Sequence, residues 1–130
     1  MNGVLPIALS GLSAASTRLT ASAQNVANAD TSGSTAAGGG TPPYQPWLVV
    51  QTSAASGGVA ANLQRSTAPY LQTYAPDNPQ ADAEGMIGVP DVDYATEVVD
   101  QVSAMASFKA NLAVIRTADE MQKALLDTLA

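Results

Sequence analysis

The C-terminal stretch from Val92 to Ala130 most constrains what this chain can fold into, because a single helical pattern runs through it without interruption. Its apolar residues recur at steps of three and four, which places them on one stripe of a helix: Val98, Val102, Met105, Phe108, Leu112, Ile115, Met121, Leu125 and Leu129. Asp93 is positioned to cap this helix, and neither Gly nor Pro follows it. A helix of roughly 36 residues would be about 54 Å long, more than a domain of this size can cover. We therefore expect the stripe to need a partner.

A second helix is predicted from Pro6 to Asn28, where four apolar residues are spaced seven apart: Leu5, Leu12, Leu19 and Val26. This spacing is typical of a helix that supercoils around another. Serines, threonines and Gly11 weaken the helix, because they compete for backbone hydrogen bonds or raise its entropic cost. We expect this segment to become ordered in an assembly and to be marginal in a free monomer.

The residues between the helices favour a small, irregular β insert. Residues 31–43 are rich in Gly, Ser and Thr and predict a loop. Trp47 to Thr52 is the best strand candidate, and Val59 to Leu63 predicts a returning strand, which together give a hairpin at about residues 47–64. For Trp47 a role as core anchor is favoured over an exposed hot spot. Four prolines between Ala68 and Pro90 predict an extended, acidic crossing segment.

The predicted fold class is accordingly mainly α, with long N- and C-terminal helices paired as a coiled coil and a small β-hairpin or irregular insert between them. Its segments are an N-terminal helix in residues 1–30, the insert in residues 31–92 and a C-terminal helix in residues 93–130.

Composition argues against several classes of function. Five basic and 11 acidic residues give a net charge of −6, which disfavours nucleic acid as a partner. The absence of Cys and His removes most nucleophile–base pairs and nearly all zinc sites. Charged residues such as Asp100, Lys109 and Arg116 interrupt the C-terminal helix and disfavour a membrane span. We predict no catalytic residues, cofactor or metal, and the start of the chain does not resemble a cleaved signal peptide.

Three more specific functional sites are suggested by short motifs, and the sequence disfavours each of them. Gly38–Gly40 suggests a phosphate-binding loop but lacks the Lys and the following helix. Asp82 to Gly85 matches only part of a calcium-binding loop, so a solvated acidic surface is favoured. Asp91 and Asp93 suggest an acid–base pair, yet helix capping explains Asp93.

Motifs at both ends of the chain resemble the axial proteins of the bacterial flagellum. Near the N-terminus, Ser-Gly-Leu-Ser-Ala at residues 10–14 and Ala-Gln-Asn-Val-Ala-Asn-Ala-Asp-Thr at residues 23–31 are similar to the rod and hook signature. The sequences at residues 76–85 and 89–93 resemble the segment that precedes the last helix in the FlgC type of proximal-rod protein. The match continues through residues 107–115 and 117–121, with Phe108 in place of the more usual Tyr and Val26 in place of Ile.

The resemblance implies a structural subunit of the proximal rod, exported without a cleaved signal by the flagellar type III apparatus and assembled in the periplasm. The implied partners are copies of itself, other rod proteins, the export apparatus and basal-body ring components. The residues expected to form the helix–helix and assembly interface are Leu12, Leu19, Asn25, Val26, Asn28, Val98, Val102, Met105, Phe108, Leu112 and Ile115. Alternatives are another rod, hook-junction or hook subunit, a helical adaptor or export chaperone, and a small enzyme.

Overall fold

The computed structural model describes residues 3–36 and 39–129, apart from the side chain of Leu129. It contains two long terminal helices with four short strands between them, so the mainly α fold with a small β insert is confirmed. In chain order the elements are α1 (Val4–Asn28), β1 (Trp47–Ser53), β2 (Val59–Arg65), β3 (Tyr70–Tyr74), β4 (Met86–Pro90) and α2 (Tyr94–Leu129). The Gly38–Gly40 run lies partly outside the described residues.

The chain divides into two compact units. The first comprises Met1–Thr20, Val49–Asn62 and Val99–Ala130, and the second comprises Ala21–Leu48 and Leu63–Val98. Both helices and the β1–β2 hairpin therefore contribute residues to each unit.

The strands form two separate two-stranded sheets, β1 with β2 and β3 with β4. The first lies where the sequence predicts a hairpin. The second replaces the single extended segment expected between Ala68 and Pro90: β3 and β4 are antiparallel, with Tyr70 opposite Pro90 and Tyr74 opposite Met86. The prolines permit this pairing because they lie before β3, in the connecting turn or at the last position of β4.

The turn between β3 and β4 depends on one aspartate and one glycine. Asp82 Oδ1 accepts hydrogen bonds from the backbone N–H groups of Met86 at 2.8 Å and Glu84 at 3.1 Å. Its Oδ2 accepts another from Thr35 Oγ1 at 3.0 Å. The hydrogen bond from Met86, followed by those from Thr35 and Glu84, lowers the pKa of the Asp82 carboxyl. Gly85 has a backbone φ of +76°, a conformation that residues with a Cβ rarely adopt.

Asp93 caps α2, as the sequence predicts. Its Oδ1 accepts a hydrogen bond from the Ala95 N–H at 2.9 Å, and its Oδ2 accepts one from Thr96 Oγ1 at 3.0 Å. These bonds, that from Thr96 foremost, lower the pKa of the Asp93 carboxyl. The carboxylate therefore satisfies a backbone donor that the first turn of a helix leaves without a partner.

Apart from Pro43, Pro46 and Pro90, the buried apolar residues are almost all alanines. The alanines are Ala8, Ala14, Ala15, Ala21, Ala29, Ala104 and Ala118, and Ile87 is buried with them. No large side chain in the described residues is fully buried. Trp47 does not have the predicted role of core anchor. It is half-buried, and the Arg65 guanidinium carbon lies 3.4 Å from its ring centroid, so it makes a cation–π contact at the surface.

Candidate assembly surface

In the first unit, α1 and α2 lie side by side in opposite directions. Gly11 is adjacent to Asn111, and a Cβ on Gly11 would be 2.5 Å from Asn111 Oδ1. Seven residues further along α1, Arg18 Nη2 donates to Ser103 Oγ at 3.2 Å and to Asp100 Oδ1 at 3.4 Å. The partners on α2 move toward its N-terminus as α1 advances, so the two helices are antiparallel.

Small side chains form the buried side of α1. Ala8, Ala15 and Ser22 are at most 3% exposed and are spaced seven residues apart. This repeat differs from the predicted one: Leu12 and Val26 are half-buried, whereas 40% of Leu19 is exposed. Small residues let helix backbones approach closely, but they remove little apolar surface from water. The helix contact is therefore tight and provides little hydrophobic stabilisation.

An open apolar groove lies beside this contact in the first unit. Its volume is about 370 Å³, and its apolar lining includes Ala15, Leu19, Ala104, Met105, Phe108 and Leu112. We call it the α1–α2 groove. It brings together four residues that were predicted for the interface, namely Leu19, Met105, Phe108 and Leu112. Lys109 adds a positive charge to the lining.

Other predicted interface residues lie on exposed parts of α2. Val98 is 55% exposed and Val102 is 64% exposed, whereas Ile115 is half-buried. Further large apolar side chains of the same helix are also exposed, namely Val99, Val114, Met121, Leu125 and Leu126. The stripe identified in the sequence is thus largely unburied in the single chain.

In the second unit, Asn25 connects three parts of the chain. Its Nδ2 donates to the Trp47 carbonyl at 2.9 Å and to Glu97 Oε1 at 2.8 Å. Its Oδ1 accepts from the Trp47 N–H at 2.8 Å and from the Tyr44 hydroxyl at 3.1 Å. Only 3% of Asn25 is exposed. Its amide thereby pairs with both backbone groups of Trp47, as a neighbouring strand would.

Asn28 has a more local role than Asn25. Its Nδ2 donates to the Gln24 carbonyl at 2.9 Å, within the same helix. By contrast, a hydrogen bond between the two helices is made nearby by Ser22, whose Oγ donates to the Glu97 carbonyl at 3.2 Å. Of the two predicted asparagines, only Asn25 therefore joins separate elements within the chain.

The described residues contain no group of three or more acidic side chains placed to hold a metal ion. The oxygens of Asp82, part of the suggested calcium loop, instead accept hydrogen bonds from the turn and from Thr35. Within the described range, no helix has the length and apolarity needed to cross a membrane.

Comparison with known proteins identifies the family. The family model for flagella basal body rod protein matches residues 5–34, and that for the C-terminal part of the flagellar basal body rod FlgEFG proteins matches residues 83–128. The flagellar basal-body rod protein FlgC of Escherichia coli O157:H7 is 40% identical over 91% of this chain and 90% of its own length. The chain belongs to the FlgC family of flagellar basal-body rod proteins.

More distant FlgC proteins match over a similar extent. That of Agrobacterium fabrum is 33% identical over 95% of this chain and 91% of its own length, and that of Bacillus subtilis is 28% identical over 93% of each. Members of the FlgC family are structural proteins of the rod, which confirms the predicted function class. Membership also locates the chain in the flagellar basal body, among other basal-body proteins.

Some residues that organise this FlgC chain were not singled out from its sequence. Gly11, Arg18 and Ser22 make close or polar contacts between the helices. In the sequence Gly11 and Ser22 are notable only as weak helix formers, and Arg18 carries no signal. A usable signal was present, because Ala8, Ala15 and Ser22 repeat every seven residues just as the leucines do. Side-chain size alone favoured the leucines as the buried set.

Proposed function

We propose that this chain polymerises through α1 and α2 as a subunit of the proximal rod and so transmits torque. Its partners are copies of itself, other rod proteins and basal-body ring components. It reaches the periplasm through the flagellar type III export apparatus without cleavage of a signal. Sequence similarity to FlgC proteins over 91% of the chain supports this proposal. The exposed apolar residues of α2 supply its physical basis.

The exposed apolar stripe of α2 is the observation that carries the proposal. Val98, Val102 and Met105 are 55%, 64% and 49% exposed and follow one another at steps of four and three residues. Fully burying one such side chain contributes about 1.5–3 kcal/mol. Contact with neighbouring subunits would recover this free energy, whereas the alanine-rich contact within the chain does not.

The contact between α1 and α2 is consistent with an antiparallel coiled coil of these helices as the unit that packs in the rod. The seven-residue repeat of Ala8, Ala15 and Ser22 supports this pairing. The hydrogen bonds from Arg18 to Asp100 and Ser103 fit this register, and a slipped helix would lose them. Because this pair is partly exposed, its contribution is small. A chain with so little buried apolar surface also suits export in an unfolded state.

Val102→Asp tests the proposal. Val102 is exposed in the single chain, so the substitution should leave the helix content of the purified protein almost unchanged. In the rod it would introduce a charge into an apolar contact, which is strongly unfavourable. In cells whose own copy is deleted, we expect Val102→Asp to be synthesised but to abolish rod completion and swimming.

Val102→Thr is the matched control, because it keeps the shape of the side chain and adds no charge. We expect it to restore rods and most of the swimming. Normal rods and motility with Val102→Asp would contradict assembly through this face of α2.

A further inference from the structure

In the first unit, the turn that joins β1 to β2, residues 54–58, lies against α1. Ser10 Oγ accepts a hydrogen bond from the Val59 N–H at 3.1 Å and donates one to the Ile7 carbonyl at 2.7 Å. The donation to Ile7 uses the single proton of the hydroxyl, which leaves its lone pairs for the Val59 amide. A side chain of α1 therefore binds the backbone of the first residue of β2.

The close approach of this turn to α1 depends on Gly58. A Cβ on Gly58 would be 2.2 Å from Ser10 Oγ, so no larger residue fits there without movement. A Cβ on the neighbouring Gly57 would be 3.4 Å from Ile7 Cδ1, which is an ordinary van der Waals contact. The two glycines have nearly the same backbone conformation, with φ of +86° at Gly57 and +89° at Gly58. Only Gly58 lies in steric contact with the Ser10 hydroxyl.

Ser10 and the next residue of α1 contact different parts of the chain. Gly11 lies against Asn111 of α2, whereas Ser10 binds the β1–β2 turn. Consecutive residues are about 100° apart around a helix, so the turn and α2 lie on adjacent sides of α1. Leu9, about 160° from Gly11 around the helix, is 59% exposed. The step from Ser10 to Gly11 thus sets where the turn lies around α1 relative to α2.

We propose that Ser10 is a positioning residue, which holds the β1–β2 turn on α1 so that the chain enters the rod with the turn in one place. Without the Ser10 hydroxyl the turn would still close, because the Ala54 carbonyl accepts from the Gly57 N–H at 2.9 Å and the Ala54 N–H donates to the Gly58 carbonyl at 3.1 Å. The turn would, however, be free to leave α1. Ordering it again during assembly would cost conformational entropy. This role of Ser10 rests on the proposed function, to which it adds a residue that prepares the chain for assembly.

Hydrogen exchange of the purified Ser10→Ala variant tests this role, with Ser13→Ala as the matched control. Both variants replace a serine of α1 by alanine and so favour the helix equally, but Ser13 is exposed, and the hydroxyl that binds Val59 belongs to Ser10. We expect the Val59 amide to exchange about fivefold faster in Ser10→Ala, the effect of losing one hydrogen bond. It should exchange at the wild-type rate in Ser13→Ala.

The Ala104 amide in α2 is the internal reference, because Ala104 is 1% exposed. Its exchange should be the same in Ser10→Ala as in the wild type. Equal acceleration at Val59 and Ala104 would mean that the substitution destabilises the whole chain, and it would overturn the positioning role.

Gly58→Ala and Gly57→Ala form a second matched pair. Both strain a backbone of similar positive φ, but only the Cβ at Gly58 collides with Ser10. We expect Gly58→Ala to accelerate exchange of the Val59 amide at least as much as Ser10→Ala does, and Gly57→Ala to accelerate it less. Equal acceleration by the two glycine variants would contradict the contact with Ser10.

Counting completed rods in cells that lack the wild-type copy tests the link to assembly. We expect Ser10→Ala to give several-fold fewer completed rods and Ser13→Ala to give normal numbers. Normal rod numbers with Ser10→Ala, or unchanged exchange of its Val59 amide, would overturn the role of Ser10 and leave the proposed function intact. Cells that build rods without this chain would overturn both.

Discussion

Asn25 shows how much of the second unit can depend on one side chain. Its amide satisfies the N–H and carbonyl of Trp47 and also bonds to Tyr44 and Glu97. Because the residue is 3% exposed, water cannot easily replace these partners. A strand edge that would otherwise present unpaired backbone groups is thereby closed by a helix side chain, which also limits unwanted strand pairing.

We predict that Asn25→Ala lowers the free energy of unfolding by about 2–3 kcal/mol, because it leaves buried polar groups without partners. Denaturant unfolding followed by the fluorescence of the single Trp, which is itself bonded to Asn25, provides the measurement.

Asn28→Ala is the control for this prediction, because the described hydrogen bond of the Asn28 side chain is to the Gln24 carbonyl of its own helix. We expect it to change the free energy of unfolding by less than about 0.5 kcal/mol. Equal changes in the free energy of unfolding would show that the Asn25 hydrogen bonds between the insert and the helices do not stabilise the protein.

At the scale of elements, the pairing of α1 and α2 depends on a close approach at Gly11. Glycine costs a helix about 1 kcal/mol relative to alanine, so its presence in α1 needs a reason. The reason is the position of Asn111, whose side chain occupies the space that a Cβ would take. Local helix propensity is thus given up for contact between helices.

A double-mutant cycle tests this explanation. In an Asn111→Ala background, Gly11→Ala should stabilise the protein by about 1 kcal/mol through helix propensity alone. In the wild-type background the gain should be absent or reversed, because Asn111 must move. Thermal unfolding followed by circular dichroism measures both changes. The same gain in both backgrounds would rule out the proposed steric contact.

At the scale of the whole molecule, the chain buries alanines and leaves many of its larger apolar residues in water. This distribution is the opposite of that in a self-sufficient domain, where large side chains provide most of the stabilisation. In the proposed assembly, the contacts that build the rod would also complete the hydrophobic core of the chain, so that its function and its stability would be coupled.

We predict that hydrogen exchange reveals this coupling. Backbone amides at residues 119–128 of α2 should exchange quickly in the free chain and become at least tenfold slower in the assembled rod. The paired β3–β4 amides around Ile87, which is 6% exposed, serve as the internal reference and should change less. Equal protection of residues 119–128 in the free chain and the rod would contradict this prediction.

The sequence alone determined the two long helices, because apolar spacing, the Asp93 cap and the absence of Gly and Pro in α2 act locally. It also indicated the rod family through motifs at both ends. The four-strand insert could be predicted only in part from the sequence. The pairing of β3 with β4 depends on a turn in which Asp82 and Gly85 bring distant residues into register.

Only the tertiary structure decided which helix faces meet. Two interleaved seven-residue patterns are present in α1, one of leucines and a valine and one of small residues, and periodicity cannot choose between them. The choice follows from the short separation of α1 and α2 where Gly11 lies beside Asn111. At that separation only small side chains fit between the helices, so many of the larger ones remain on the surface.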